Sequence, residues 1–182
     1  YGVELVVRSS LTSEEGTVVK EVVKMEKMLI TGVAADRNTV RISAIGVKDE
    51  PGIAFKIFNT LAKNNINVDI ILQSVGRNGT KDISFTVSEE DLKEALAILE
   101  EKKEVLTIKE LTYSTDVAKV SIVGAGMLSN PGVAAKMFES LFNSNININM
   151  ISTSEIRITV LIDEKDTEKA MIAIHDGFGL ND

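Results

Sequence analysis

The chain has 182 residues, enough for one large domain or two small ones, and either arrangement can bury a hydrophobic core. Its 20 Lys and Arg against 27 Asp and Glu give a net charge of −7, which opposes binding to nucleic acid or to an anionic membrane surface. The absence of cysteine excludes disulfides and thiolate chemistry, and no apolar run is long enough to span a membrane, so we expect a cytoplasmic protein.

The chain opens with elements that do not belong to a repeat. Residues 1–24 contain an alternating segment at Val3–Val7, and they are predicted to be the tail of a larger neighbouring domain followed by a linker. The segment Leu29–Ala35 is predicted to form a further strand.

The first half of a repeat follows. Val40–Val47 alternates as a half-buried strand does, and Pro51 is predicted to lie in the first turn of a helix. The apolar face of that helix has helical spacing and comprises Ile53, Ile57, Phe58, Leu61 and Ala62. Val68–Val75 is predicted to be the next strand.

A hairpin and a second helix complete the repeat. Asn78-Gly79 predicts a tight turn before the returning strand Ile83–Val87. Ser88 is then predicted to cap a helix whose first turn contains Glu89–Asp91. Its inner face is formed by Leu92, Leu96 and Leu99. Val105–Tyr113 is predicted to be the last strand.

The same pattern recurs further along the chain. Pro51-Gly52 recurs as Pro131-Gly132, and Asn65–Asn67 as Asn145–Asn147, both 80 residues later. That offset also brings Val40, Ile42 and Gly46 onto Val120, Ile122 and Gly126, which predicts an ungapped register. Beyond the hairpin the offset is 75, so the first copy carries five extra residues there.

These elements predict an α+β fold of two ferredoxin-like βαββαβ units, each an antiparallel sheet covered on one face by two helices. The second copy stops one strand short, and Leu29–Ala35 is available to complete its sheet. We therefore expect the first domain, residues 38–113, to be inserted into a second domain made of residues 25–37 and 114–182.

The sequence offers little chemistry. His175 stands alone on an amphipathic helix and is interpreted as a packing or surface residue. Gly124-Ala125-Gly126 lacks the remaining residues of a nucleotide loop, and the carboxylate pairs lie at helix starts, where they favour the helix dipole. We predict no catalytic residue, no metal site and no cofactor in this chain.

The repeated Pro-Gly loop is the exception. Free amides at a helix N-terminus favour an anion such as an α-carboxylate, and glycine permits close approach to the backbone. The segments Asn67–Asp69 and Asn147–Asn149 could offer main-chain groups to an α-ammonium. The pattern therefore predicts a site for a free amino acid.

Four segments carry a family resemblance: ITGVAADRNTVRISAIGVKDEPGIA, INVDIILQSV, KVSIVGAGMLSNPGVAAKMF and NINMISTSEIRITVLI. From about Leu29 onward the chain resembles the C-terminal regulatory region of aspartokinases, which is built of two ACT domains. The stretch VRSSLTSEEGTVV resembles the last strand and tail of their amino-acid kinase domain. The resemblance implies that ATP and Mg²⁺ bind only in that catalytic domain, which phosphorylates aspartate and is absent from this chain.

The resemblance also implies where an effector binds: between ACT domains of two chains, with threonine, lysine or both as effectors and a homodimer as the assembly. In the first copy the implied residues are Asp49, Glu50, Pro51, Gly52, Ile53, Ala54, Asn67, Val68, Asp69 and Gln73. In the second copy they are Val133, Ala134, Asn147, Ile148, Thr153 and Ser154. Ser129 and Asn130 replace Asp49 and Glu50, so a cationic ligand is expected to prefer the first loop.

Several alternatives stay open at this point. The same sensor domains could serve a different biosynthetic enzyme, or the repeats could only assemble subunits. The identity of the amino acid is not fixed by the sequence. The chain could be a natural β subunit that joins a catalytic α subunit, or part of a longer enzyme.

Overall fold

The computed structural model describes residues 5–7, 17–19, 30–124 and 130–180 of the chain. Strands β1 (Leu5–Val7) and β2 (Thr17–Val19) pair antiparallel as a separate two-stranded sheet. The rest of the predicted tail at residues 1–24 lies outside the described residues. No described helix is long and apolar enough to cross a membrane.

The first unit is a complete βαββαβ fold. Its elements are β4 (Val40–Lys48), α1 (Ile53–Ala62), β5 (Ile71–Gln73), β6 (Thr80–Val87), α2 (Leu92–Glu101) and β7 (Glu110–Ser114). The strands lie in the order β5-β6-β4-β7, and every neighbouring pair is antiparallel. Strand β5 therefore forms one edge of this sheet.

The second unit borrows its last strand from upstream. Its elements are β3 (Gly32–Asp36), β8 (Val117–Val123), α3 (Val133–Asn143), β9 (Met150–Thr153), β10 (Arg157–Asp163) and α4 (Thr167–Phe178), with a short 3₁₀ turn at Glu164–Asp166. The order is β3-β8-β10-β9, with all pairs antiparallel. The predicted fold class and the insertion of the first unit into the second are confirmed.

Each sheet is covered on one face by its two helices. Helix α1 buries Ile53, Ile57 and Leu61, which recur every four residues and so face the same core. Helix α3 buries the corresponding positions 80 residues later, Val133, Met137 and Leu141. Both cores consist mainly of branched aliphatic side chains, as the composition predicts.

Several predicted bounds are wrong by a few residues. Helix α1 begins at Ile53 because Gly52 has a left-handed backbone, with φ 89°, and Pro51 stays outside the helix. Helix α2 begins at Leu92, so Glu89–Asp91 precede it. Strand β7 starts only at Glu110, because Thr107 has a positive φ of 54° and the chain turns there. The upstream strand begins at Gly32 instead of Leu29.

The second strand of the first unit is shorter than predicted. The prediction was Val68–Val75, whereas regular pairing covers only Ile71–Gln73. At one end Thr86 Oγ1 accepts a hydrogen bond from the Ile70 amide, and at the other Ser74 Oγ accepts one from the Asp82 amide. Side-chain hydroxyls thus replace backbone carbonyls at both ends of the ladder. The predicted hairpin turn is confirmed, with Asn78 and Gly79 both at positive φ.

Strand pairing corrects the register of the repeat. Val40 lies opposite Val87, and Ala118 lies opposite Ile162. Because Val87 and Ile162 correspond at an offset of 75, Val40 corresponds to Ala118 at an offset of 78, while α1 and α3 correspond at 80. The ungapped register is therefore wrong, and the connection from first strand to first helix is two residues longer in the second unit.

The two units meet through sheet faces that carry no helices. Ile70 and Leu72 of the first unit pack with Val117, Met150 and Leu161 of the second. This small interdomain cluster is flanked by hydroxyl pairs within each sheet, where the two oxygens are 2.8 Å apart. The contact between units is therefore partly apolar and partly polar.

Removing β3 should damage the second unit specifically. A chain that starts at residue 37 lacks the strand that pairs with β8, and it also lacks Ile30, which is buried in the second core. An unpaired edge promotes aggregation, so this truncation should melt earlier and lose cooperative unfolding. A chain that starts at residue 25 is the control and should melt as the parent does. Equal melting curves for the two truncations would contradict the assigned pairing.

Thr39 offers a second test of the packing. It is 1% exposed, and its Oγ1 has no hydrogen-bond partner among the described residues. Thr39→Val keeps the branched shape and removes the unpaired hydroxyl, so it should raise the free energy of unfolding by about 1 kcal/mol. Thr167→Val is the matched control. That residue is equally buried, but its Oγ1 donates to the Glu164 carbonyl, so this change should destabilise. Urea unfolding in which both variants lose stability would refute the account.

Candidate functional site

Both Pro-Gly loops end in a helix N-terminus with free main-chain donors. Gly52 and Gly132 precede α1 and α3 with φ values of 89° and 97°. No side chain caps either helix, and neither first turn contains an acidic residue. A carboxylate or phosphate is the group that such a helix start favours. The two loops are therefore anion sites of the same backbone design.

The need for glycine here is conformational. A Cβ built on Gly52 or Gly132 would meet no atom within 4 Å, so a side chain has room in both places. What excludes other residues is the positive φ, which costs an L-residue about 1–2 kcal/mol. The open space in front of each glycine is also the space that a ligand would occupy.

The first loop is attached to the β5–β6 hairpin. The amide of Asp49 donates to the Gly79 carbonyl at 2.9 Å, and its carboxylate lies 3.0 Å from Lys81 Nζ. The same carboxylate lies against Gly76, where a Cβ would collide with it. The hairpin with the five extra residues thus holds the loop in place.

The carboxylates of the first loop are already paired. Glu50 accepts from Lys48 at 2.8 Å and lies 3.8 Å from Lys56. The hydrogen bond and charge of Lys48 lower the pKa of Glu50, and Glu50 in turn raises the pKa of Lys48. Since Asp49 is paired with Lys81, three lysines surround two carboxylates. The expectation that an acidic first loop selects a cationic ligand therefore loses its basis.

The remaining loop residues contribute through the backbone. Ile53 and Val133 are buried in the two cores, and Ala54 and Ala134 pack against them, so only their amides face the loop. Ser129 lies outside the described residues. In the second unit, Gly132 begins an open groove along α3 that also contains Lys136 and Phe142.

The segment Asn67–Asp69 lies at the far end of its sheet from the first loop. Strands β4 and β5 both pair antiparallel with β6, so they run parallel to each other. The loop follows the end of β4, whereas Asn67–Asp69 precede the start of β5, roughly 20 Å away at 3.3 Å per residue. Gln73, at the other end of β5, is exposed and lies on the loop side. One chain therefore does not bring the loop and Asn67–Asp69 together.

The second unit repeats this separation. Strands β8 and β9 both pair antiparallel with β10. Asn147 and Ile148 precede β9, whereas Thr153 and Ser154 lie at its end, on the side of the second loop. Asn147 is exposed, and Ile148 packs against the second core. The predicted residues of this copy thus also divide into a loop side and a strand-start side.

Two cavities between the units collect some of the predicted residues. One, of about 400 Å³, is lined by Asp69 together with Thr153 and Ser154 of the second unit. The other, of about 350 Å³, is lined by Asn67, Val68 and Asp69. Neither cavity includes a Pro-Gly loop.

Lys119 separates the two cavities, and the sequence interpretation missed it. Its Nζ lies 2.9 Å from Asp36 Oδ2 and 2.5 Å from Asp69 Oδ2, so it joins β3 and β8 to the start of β5. Burial lowers the pKa of Lys119, but the hydrogen bonds and charges of the two aspartates outweigh burial and raise it overall. A lysine inside the apolar strand VAKVSIV was the available signal. Its partners, distant in sequence, could not be inferred.

The arrangement suits binding better than chemistry. Within residues 30–124 and 130–180, no group of acidic or histidine side chains is arranged to hold a metal ion. His175 is half-buried on α4, beside the helix end. The candidate site is therefore defined by main-chain donors at two helix starts and by polar side chains at two strand ends.

Comparison with known proteins places the chain among amino-acid sensors. The family model for the ACT domain matches residues 40–102 and 120–178, one match in each unit. An aspartokinase from Bacillus sp. (strain MGA3) is 45% identical over all 182 residues. That alignment covers 44% of the aspartokinase, so the chain spans less than half the length of the curated relatives it matches.

Solved structures give the same result at full length. A chain in the crystal structure of aspartokinase alpha and beta subunits is 47% identical, with a TM-score of 0.77, and the match covers 82% of this chain and 99% of that one. The ligand-free regulatory subunit of aspartate kinase from Thermus thermophilus is 43% identical, with the same TM-score and the same coverage.

The positive φ of the loop glycine can be tested by substitution. Gly52→Ala should lower the free energy of unfolding by about 1–2 kcal/mol, because alanine must adopt a left-handed conformation although its methyl group has room. Gly32→Ala is the control: this glycine also has open space, but its φ lies outside the left-handed region, and it should change stability little or increase it. Equal effects of the two substitutions in urea unfolding would contradict the loop conformation.

Proposed function

The chain belongs to the ACT-domain family, as a regulatory region of the aspartokinase type, and on this premise we propose that it binds end-product amino acids. Threonine, lysine or both are the proposed effectors. Binding would inhibit a catalytic aspartokinase domain, or a separate α subunit, that phosphorylates aspartate with ATP. The observation that carries the proposal is the pair of uncapped helix starts, each preceded by a glycine with positive φ.

The uncapped helix starts supply one half of an amino-acid site. Their amides and the helix dipole favour the α-carboxylate, which every amino acid carries. The α-ammonium needs acceptors opposite those amides. Within one chain the strand-start segments that could provide them lie at the other end of the sheet, so the acceptors must come from a second chain.

The edge strands offer a way to bring in a second chain. β5 and β9 each form one edge of a sheet. If either edge pairs antiparallel with an edge of another chain, the start of the partner's strand lies beside the end of this one, close to the Pro-Gly loop. An antiparallel dimer therefore joins the loop side of one chain to the strand-start side of the other.

Exposed apolar side chains favour such a dimer. Ile71 and Ile151 occupy matching positions on the two edge strands, and both are exposed. On the helices, Phe55 of α1 is 70% exposed and Phe142 of α3 is 80% exposed. Large apolar groups near unpaired strand edges are typical of surfaces buried by association. We therefore propose a homodimer whose contacts also complete the ligand sites.

The nature of the side-chain pocket stays open between threonine and lysine. Gln73 lies exposed at the loop end of β5, and its amide can both donate and accept a hydrogen bond, which suits a threonine hydroxyl. The first loop combines Asp49 and Glu50 with three lysines, so its charge does not decide between a neutral and a cationic ligand.

A thermal-shift panel of the twenty amino acids tests the proposed binding. A ligand that binds only the folded protein stabilises it by RT ln(1 + [L]/Kd), about 2.7 kcal/mol at a hundredfold excess over Kd. Threonine or lysine should raise the melting temperature, whereas glycine should not. A panel in which no amino acid changes the melting temperature would refute the proposal and favour a purely structural module.

Gln73→Ala tests the proposed position of the ligand. Loss of one buried hydrogen bond costs about 1–3 kcal/mol, so affinity for the effector should fall roughly five- to a hundredfold. Because Gln73 is exposed in the isolated chain, stability without ligand should hardly change. Glu94→Ala, an exposed change on α2, is the control and should bind as the parent does in calorimetric titration. Unchanged affinity in Gln73→Ala would exclude this end of β5 from the site.

A further inference from the structure

Lys119 connects the second unit to the strand-start segment of the first. Its ammonium group hydrogen-bonds Asp69, which belongs to the Asn67–Asp69 segment, and also Asp36 on the neighbouring strand of its own sheet. The Lys119 side chain is 13% exposed, whereas both aspartates are about half exposed, at 48% and 53%. The cation is therefore enclosed, and its two acceptors are open to solvent.

The ionic contact adds to a small apolar one. The interdomain cluster contains only Ile70 and Leu72 from the first unit. Asp69 immediately precedes Ile70, so the charged and apolar contacts act on the same few residues. Both interdomain cavities are lined by Asp36, Asp69 and Lys119, which means that open space adjoins the ion pairs on two sides.

Asp69 therefore has two possible partners. A carboxylate in the proposed strand-start side would accept the α-ammonium of an amino acid, or the side-chain ammonium of lysine. The group that Asp69 binds in the ligand-free chain is also a primary ammonium, that of Lys119. The same charge-assisted hydrogen bond serves both, so the ligand and Lys119 compete for one acceptor.

We propose that Lys119 is an internal competitor of the effector: an ammonium group that binds at Asn67–Asp69 displaces Lys119 from Asp69 and loosens the contact between the two units. This proposal rests on the proposed function and gives it a regulatory step. It couples occupancy of a site to the packing of one domain against the other.

The second aspartate makes the exchange feasible. An enclosed ammonium that lost its only partner would be strongly unfavourable. Lys119 keeps Asp36 when it leaves Asp69, because Asp36 lies directly opposite it in the β3–β8 pair. The exchange then replaces one ammonium by another at Asp69 and leaves no buried charge without a partner.

Two substitutions separate competition from simple support. Lys119→Met retains the side-chain length and removes the charge, so it should tighten effector binding about two- to tenfold. Asp36→Asn leaves Asp69 as the only carboxylate for Lys119, so it should weaken effector binding by a similar factor. A supporting role for the ion pairs would weaken binding in both variants, and that result in calorimetric titration would overturn the proposal.

A distance measurement tests the contact without any ligand. The chain contains no cysteine, so Lys93→Cys on α2 and Lys169→Cys on α4 would carry the only two spin labels. Labelled chain is diluted with unlabelled chain to isolate distances within one molecule. Lys119→Met should broaden the distance distribution, whereas Asp36→Asn should not.

The two measurements separate the possible failures. If the parent binds no amino acid, the proposed function fails, while the spin-label distances still report on the contact itself. If the parent binds its effector but Lys119→Met changes neither affinity nor distance distribution, the inference about Lys119 fails and the proposed function stands. Effector-induced broadening in the parent, absent from Lys119→Met, is the result expected from competition.

Discussion

In each repeat the first and second strands run parallel, separated by the third strand of the sheet. The Pro-Gly loop follows the end of the first strand, and the polar segment precedes the start of the second, so the two lie at opposite ends. This separation follows from the βαββ connection, since the helix returns the chain to the end at which the first strand began. A ligand that needs both groups needs two domains placed antiparallel, edge to edge.

The same geometry explains why the interdomain contact within one chain is small. The helices cover one face of each sheet, and the other faces meet through the small apolar cluster and the ion pairs of Lys119. A contact of this size can open at modest cost, which suits a regulatory element. Because Asp69 belongs both to this contact and to the proposed ligand segment, binding and domain packing are linked by one side chain.

Local patterns predicted the fold well. The Pro-Gly and Asn-Gly pairs, the helical spacing of Ile53 and its successors, and the missing strand of the second copy all led to the observed topology. Errors occurred where tertiary hydrogen bonds decide the outcome: Thr86 and Ser74 shorten β5, and the strand register differs by two residues from the sequence match. Candidate residues could be placed in loops and strands, but their division between two ends of a sheet required three dimensions, as did the partners of Lys119.

The central claim is that each site combines the loop side of one chain with the strand-start side of another. A chain with Gln73→Ala and Ser154→Phe, altered on the loop side, can be refolded together with a chain carrying Asn67→Arg and Asn147→Arg. Half of the dimers are then mixed and half of their sites are intact, so the mixture should recover about a quarter of the parental binding capacity at concentrations where neither variant binds alone. A mixture that binds no better than the separate variants would contradict the shared site.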